Sequence, residues 1–189
     1  TRKHLPIFEN SVMEVWSIPL RHRVPAAGYL FREKRPELNV HKEAIERYGL
    51  GIAQITAAKR GEDISGPNGY TIPNGALTYL PYAPRSYAYC SDTMVSGKVA
   101  DIVHGVNLLY HEATFADAER ALARETGHST ALQAAKTAAK AQAGRLLIGH
   151  FSSRYKDAAP LVEEARTLFP ATEEAKEMHT YEIPAVKHQ

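Results

Sequence analysis

Apolar positions in this chain fall into short runs separated by polar stretches rich in Gly and Pro, and the runs change character along its length. Val12 to Leu20 is a β-branched and aromatic run that stops at Arg21-His22, and Ala27 to Phe31 is a second. Together they predict two strands joined by a short turn. From 32 to 83 no steady apolar period is kept. Arg32-Glu33-Lys34-Arg35 opens this stretch, and two short amphipathic segments follow, Val40 to Tyr48 and Ile52 to Lys59. Gly61, Gly66-Pro67-Asn68-Gly69 and Pro73-Asn74-Gly75 supply turn chemistry. This stretch reads as an inserted arm projecting from a core, with a long surface loop as the plainer alternative.

Regularity returns after Pro84. Ser86 to Cys90, Val106 to Tyr110 and Leu146 to Ile148 read as strands. Ala116 to Arg124 has helical spacing and stops at Gly127. Thr130 with Gln133 three residues later is a capping box that opens a helix over Ala131 to Ala143, with Gly144 to end it. Leu161 to Phe169 is a further helix, closed by Pro170. Alternation of strand and helix predicts a layered α/β fold.

Composition narrows the choice of function. The chain has 189 residues, 44% of them hydrophobic, enough for a substantial core. A net charge of +2 argues against a binder that relies on global charge, although a local basic patch remains compatible. A single cysteine, Cys90, rules out an internal disulfide framework and a cysteine-cluster zinc site, and it fits a small buried residue in a cytoplasmic protein. No apolar run reaches the roughly 20 residues that span a bilayer.

Chemistry-bearing residues follow apolar runs four times: His22, Asp92, His111-Glu112 and His150. Strand ends hold side chains in fixed constellations with one side open to a ligand. Two His and one Asp at such ends suit zinc, although satisfied polar residues at strand ends would look the same. His128 lies in Gly127-His128-Ser129-Thr130, just before a helix start that favours an anion such as phosphate. A protonated His there could donate to a leaving oxygen, with Glu112 orienting its ring; a bystander beside a capping box is the plainer alternative.

Five motifs, in order, resemble ribonuclease Z, a zinc-dependent tRNA 3′ endonuclease family. They are His22 with Gly28-Tyr29; Ser91-Asp92-Thr93; Tyr110-His111-Glu112-Ala113-Thr114-Phe115; Gly127-His128-Ser129-Thr130 with Gln133-Ala134-Ala135; and His150-Phe151-Ser152-Ser153-Arg154-Tyr155. The tail Phe169-Pro170-Ala171-Thr172 fits as well. The resemblance implies a metallo-β-lactamase-type αββα sandwich with a two-zinc site, of which 1–189 would form the C-terminal half and 32–83 a tRNA-binding arm. It implies metal-binding roles for His22, Asp92 and His150, with Asp92 bridging. It implies that His128, supported by Glu112, acts on the leaving group, and that Arg154 sits near the scissile phosphate.

Two departures stand out. The family's His-x-His-x-Asp-His motif is absent from the chain. An upstream N-terminal segment is therefore expected to carry the other metal ligands. Where the family arm carries Gly-Pro before its second helix, this chain reads Leu50-Gly51-Ile52-Ala53. His111 is open between support of the metals and a structural role. The expected activity is removal of the 3′ trailer of precursor tRNA by a homodimer away from membranes. The rivals are a small-molecule phosphodiesterase of the same superfamily and a non-catalytic tRNA-binding or dimerising half.

Overall fold

The computed structural model describes residues 3–66 and 69–187. The Pro67-Asn68 portion of the expected turn lies outside the described residues. Three strands open the chain: β1 (Pro6–Glu9), β2 (Met13–Pro19) and β3 (Ala27–Glu33). The β1 strand was not apparent from the sequence because all four of its residues are exposed, so no buried face gives it a period. Residues 34–84, with 184–189, then form a separate compact unit. It holds β4 (Asn39–Val40), α1 (Lys42–Tyr48), α2 (Ile52–Lys59), β5 (Ile64–Ser65), β6 (Thr71–Ile72) and β7 (Thr78–Tyr79). Its own small core gathers Ala44, Leu50, Ala58, Ile64, Ile72 and Leu77.

The main unit resumes with β8 (Ser86–Cys90), α3 (Gly97–Ile102), β9 (Leu108–Glu112), α4 (Arg120–Thr126), α5 (Ala131–Ala141), β10 (Arg145–Gly149), α6 (Ala159–Arg166) and β11 (Thr172–Glu174). Several boundaries move from the sequence reading. The strand expected at Val106 to Tyr110 is displaced to Leu108–Glu112, so His111 and Glu112 end the strand instead of following it. Ala116 to Arg124 resolves into a 3-10 turn at Asp117–Glu119 and α4. The last helix ends at Arg166, well before Pro170. Helix α3 and strand β11 were not foreseen, being too short to show a period.

The seven strands form one sheet, ordered β1-β2-β3-β8-β9-β10-β11. Pairing is antiparallel from β1 to β8 and parallel from β8 to β11. Register puts Leu30, Ala88, Leu109 and Leu146 side by side on one face. These pack in a single core with α3, α5 and α6 through Val99, the alanines of α5, and Leu161. Ala131, Ala134, Ala135 and Ala138 of α5 recur at i, i+3, i+4 and i+7 and are fully buried, which lets this helix approach the sheet closely. The expected capping box is present. Thr130 Oγ1 accepts from the Gln133 N–H at 3.2 Å while Gln133 Oε1 accepts from the Thr130 N–H at 3.0 Å. Truncating Thr130 to Ala would cost about 1 kcal/mol. The opposite sheet face is aromatic: Tyr29, Tyr89 and Tyr110 are register partners, and the rings of Tyr89 and Tyr110 stack at 4.7 Å.

Topology explains where the site forms. Because β8, β9 and β10 are parallel, their C-terminal ends Cys90, Glu112 and Gly149 come out at one edge of the sheet. Because β2 and β3 alternate in direction, the end of β2 at Pro19 reaches that same edge. The segments after β2, β8 and β10 therefore carry His22, Asp92 and His150 towards the end of β9.

Candidate metal and phosphate centre

At the end of β9 the Glu112 carboxylate is fully buried, and it is the hub of the centre. Its Oε1 accepts from the Thr93 N–H at 2.7 Å and from His128 Nδ1 at 2.8 Å. Its Oε2 accepts from the Thr114 hydroxyl at 2.6 Å, the Ser129 N–H at 3.1 Å and the Thr114 N–H at 3.3 Å. A buried carboxyl surrounded only by donors is held as an acceptor, and these bonds offset its desolvation. The loops after β8 and β9 and the turn before α5 are thus tied to one side chain.

These contacts also fix the imidazole tautomers. A carbonyl only accepts, so His22 must donate Nδ1–H to the Gly127 oxygen at 2.9 Å. His128 donates Nδ1–H to Glu112. The Thr114 hydroxyl has its proton on Glu112, so at the 2.9 Å contact His150 Nδ1 is the donor and Thr114 Oγ1 the acceptor. All three rings therefore keep the Nε2 lone pair available. Oriented imidazoles of this kind, with Nδ1–H committed to a neighbouring oxygen, are what metal sites use.

The rings are close together. His128 lies 5.0 Å from His22 and 5.3 Å from His150 between centroids, and His150 Nε2 is 3.2 Å from Asp92 Oδ1. His22, Asp92 and His128 each bring a ligand atom within 4.8 Å of the others. Glu112, His128 and His150 lie equally close together, but both Glu112 oxygens are already taken up by donors, so Glu112 is a support and not a ligand. The donor set of imidazole nitrogens and a carboxylate fits zinc. Asp92 and His150 both adopt positive φ, 54° and 60°, which L-residues other than Gly hold only where surrounding contacts enforce it. Gly127, at φ 86°, closes α4 in the same region; a Cβ there would come within 3.0 Å of His22 Nδ1.

Arg154 is placed differently from the others. Its guanidinium pairs with Glu119 and lies 5.1 Å from the centroid of Phe115, whose ring meets His128 edge-on at 6.4 Å. It reaches the histidine cluster through an aromatic ring. His111 is fully buried on the helix-covered side. It donates Nδ1–H to its neighbour's carbonyl at 2.7 Å and leaves Nε2 without a partner. Burial holds its pKa below the usual 6.5. Thr93, Thr114 and Ser129 as donors to Glu112 do not follow from the sequence, although all three lie within the motifs quoted above.

No family model matches the chain. Curated relatives do. The chain is 49% identical to the ribonuclease Z of Parabacteroides distasonis over 89% of its own length and 56% of that protein's. Against the ribonuclease Z of Porphyromonas gingivalis the figures are 48%, 93% and 58%, and against that of Phocaeicola vulgatus 41%, 96% and 59%. Among solved structures, the metallo-β-lactamase fold protein YhfI of Bacillus subtilis superposes with a TM-score of 0.56 at 17% identity, covering 90% of this chain and 49% of that one. Human tRNase Z, short form, gives 0.55 at 22% identity, covering 97% and 48%. The fold is thus of the metallo-β-lactamase type. Over the stretch it shares with the curated relatives, the chain belongs to the ribonuclease Z family; it spans a little over half of their length. Among the described residues no helix is long and apolar enough to cross a membrane.

Proposed function

We propose that the protein containing this chain is a zinc-dependent endoribonuclease that removes the 3′ trailer of precursor tRNA, acting in the cytoplasm as a homodimer. The observation that carries this reading is the set of three imidazoles beside Asp92, each with Nδ1–H committed to a protein oxygen and, among the described residues, none with Nε2 held by a backbone group, that of His150 lying 3.2 Å from Asp92 Oδ1. The relatives named ribonuclease Z support RNA as the substrate, and the fold shared with human tRNase Z supports a tRNA. His22, Asp92 and His150 would hold two zinc ions together with ligands from outside this chain. Such ions supply a hydroxide nucleophile at neutral pH and offset charge on the phosphate.

The chain's own part is to orient and to move a proton. Of the three rings, His128 has its Nδ1–H on a buried carboxylate, which compensates the charge on the ring while it carries a second proton. It gives the Nε2 proton to the leaving O3′ as the P–O3′ bond breaks, leaving a 3′ hydroxyl on the tRNA and a 5′ phosphate on the trailer. Arg154, stacked on Phe115, stabilises charge on the phosphate. The unit at 34–84 is the proposed tRNA-binding arm.

The test is cleavage of a precursor tRNA bearing a 3′ trailer by the complete protein with zinc, compared with the D92A and H128A variants. A mature 3′ end released by wild type and lost in both variants is expected. Hydrolysis of a small phosphodiester without cleavage of the precursor would overturn the reading.

A further inference from the structure

Beside the centre, on the side of His128, lies a cleft of about 480 Å³ between α4, the start of α5 and the loop after β8. We propose that this cleft seats the nucleoside that bears the leaving oxygen, with the phosphate next upstream on Arg21 and Arg124. The inference rests on the nuclease reading above and assigns a direction to the RNA across the site.

Three observations support it. The first is composition. Met94 and Val95 give the cleft an apolar wall, while Arg21, Arg120 and Arg124 give it a cationic rim. An apolar surface under a guanidinium rim suits a base with its phosphate, since a base offers a π face and the backbone a charge. The volume lies within the range of small-ligand sites, roughly 300–1,000 Å³.

The second is which cations are available. Arg120 is bidentate to Asp117, at 2.5 and 3.1 Å, so its charge is balanced. Arg21 and Arg124 are exposed, and among the described residues neither has a carboxylate partner. Arg21 is nevertheless anchored to the centre by its backbone: its N–H donates to Thr93 Oγ1 at 3.1 Å and its carbonyl accepts from the Met94 N–H at 2.7 Å.

The third is position, and it sets the direction. Of the groups that build the centre, His128 alone lines the cleft; His22, Asp92 and His150 do not. Glu112 holds His128 by Nδ1, so its transferable proton is on the other nitrogen. The acid must touch the oxygen that departs, and that oxygen belongs to the upstream nucleoside. The cleft next to the acid therefore receives the upstream side, and the downstream strand leaves across Asp92 and His150.

The experiment uses the complete protein, with its metal removed by chelation, bound to precursor tRNA carrying 4-thiouridine on one side or the other of the scissile phosphate. After irradiation, the upstream label is expected to cross-link to peptides containing 94–95 or 120–124, and the downstream label is not. The R21A/R124A double variant should bind the RNA about tenfold more weakly, and its log–log salt slope should fall by roughly 0.7, the value for one neutralised phosphate on a single strand. Cross-links to those peptides from the downstream label, or an unchanged slope, overturn the inference while leaving cleavage intact. Failure of the zinc-loaded wild type to bind or cleave the precursor overturns the nuclease reading and this inference with it.

Discussion

Replacing Glu112 by Gln changes one atom at the hub of the centre, and the structure sets the cost. With its carbonyl at the Oε2 position, Gln keeps the bonds from the Thr114 N–H, the Thr114 hydroxyl and the Ser129 N–H. Its NH2 then faces the Thr93 N–H and His128 Nδ1. His128 can adapt by moving its proton to Nε2, but the Thr93 N–H has no second choice. An unsatisfied buried donor costs about 1–3 kcal/mol, and three charge-assisted bonds become ordinary ones. Relief from burying a charge returns part of this. The net loss should be roughly 2–4 kcal/mol, or about 4–16 °C in Tm for a chain of this size. Urea unfolding followed by circular dichroism measures the loss, and nitrogen-15 chemical shifts report the His128 tautomer. A variant within about 0.5 kcal/mol of wild type, with Nδ1 of His128 still protonated, would refute the assignment of Glu112 as hub.

Other outcomes follow from the same geometry. Thr114→Val removes the acceptor for His150 Nδ1–H and should weaken zinc binding by about 10–100-fold, read by competition with a chelating dye. Gly127→Ala forces a side chain into positive φ within 3.0 Å of His22 Nδ1; it should cost about 1–2 kcal/mol in thermal unfolding and also lower zinc affinity. His111 has its folded pKa depressed by burial, so below about pH 6.5 the unfolded chain takes up a proton that the folded chain refuses. Its contribution is therefore complete above that pH and is lost on acidification, by up to about 1.4 kcal/mol per pH unit. H111Q should flatten this limb of a stability–pH curve.

Much of this was legible in the sequence, for identifiable reasons. The apolar runs at 13–19, 86–90 and 145–149 are strands with at least one face buried, and burial is what gives a run its hydrophobic signature. The capping box at Thr130 was legible because both partners lie within one turn. His22, Asp92, His128 and His150 could be picked out as candidates, but their proximity could not, since it depends on strand direction in the sheet. Glu112 was visible as a partner of His128, yet its role as a hub depends on backbone N–H groups of Thr93, Thr114 and Ser129, which no side-chain pattern encodes.

The joint between β3 and β8 has a consequence for how the chain folds. Arg32 pairs with Ser86, the Glu33 N–H bonds the Arg85 carbonyl at 2.9 Å, and the Arg85 guanidinium clasps the Glu33 carboxylate, lowering its pKa. Residues 34–84 thus leave and re-enter the main sheet at one point, as the loop of an ordinary hairpin would. Closing a loop costs entropy that grows only with the logarithm of its length, about 0.6 kcal/mol for each doubling. Because the insert has a core of its own, its local collapse would shorten the effective loop before β3 meets β8. The sheet can therefore tolerate inserts of very different length at this joint, provided that each brings its own two ends together.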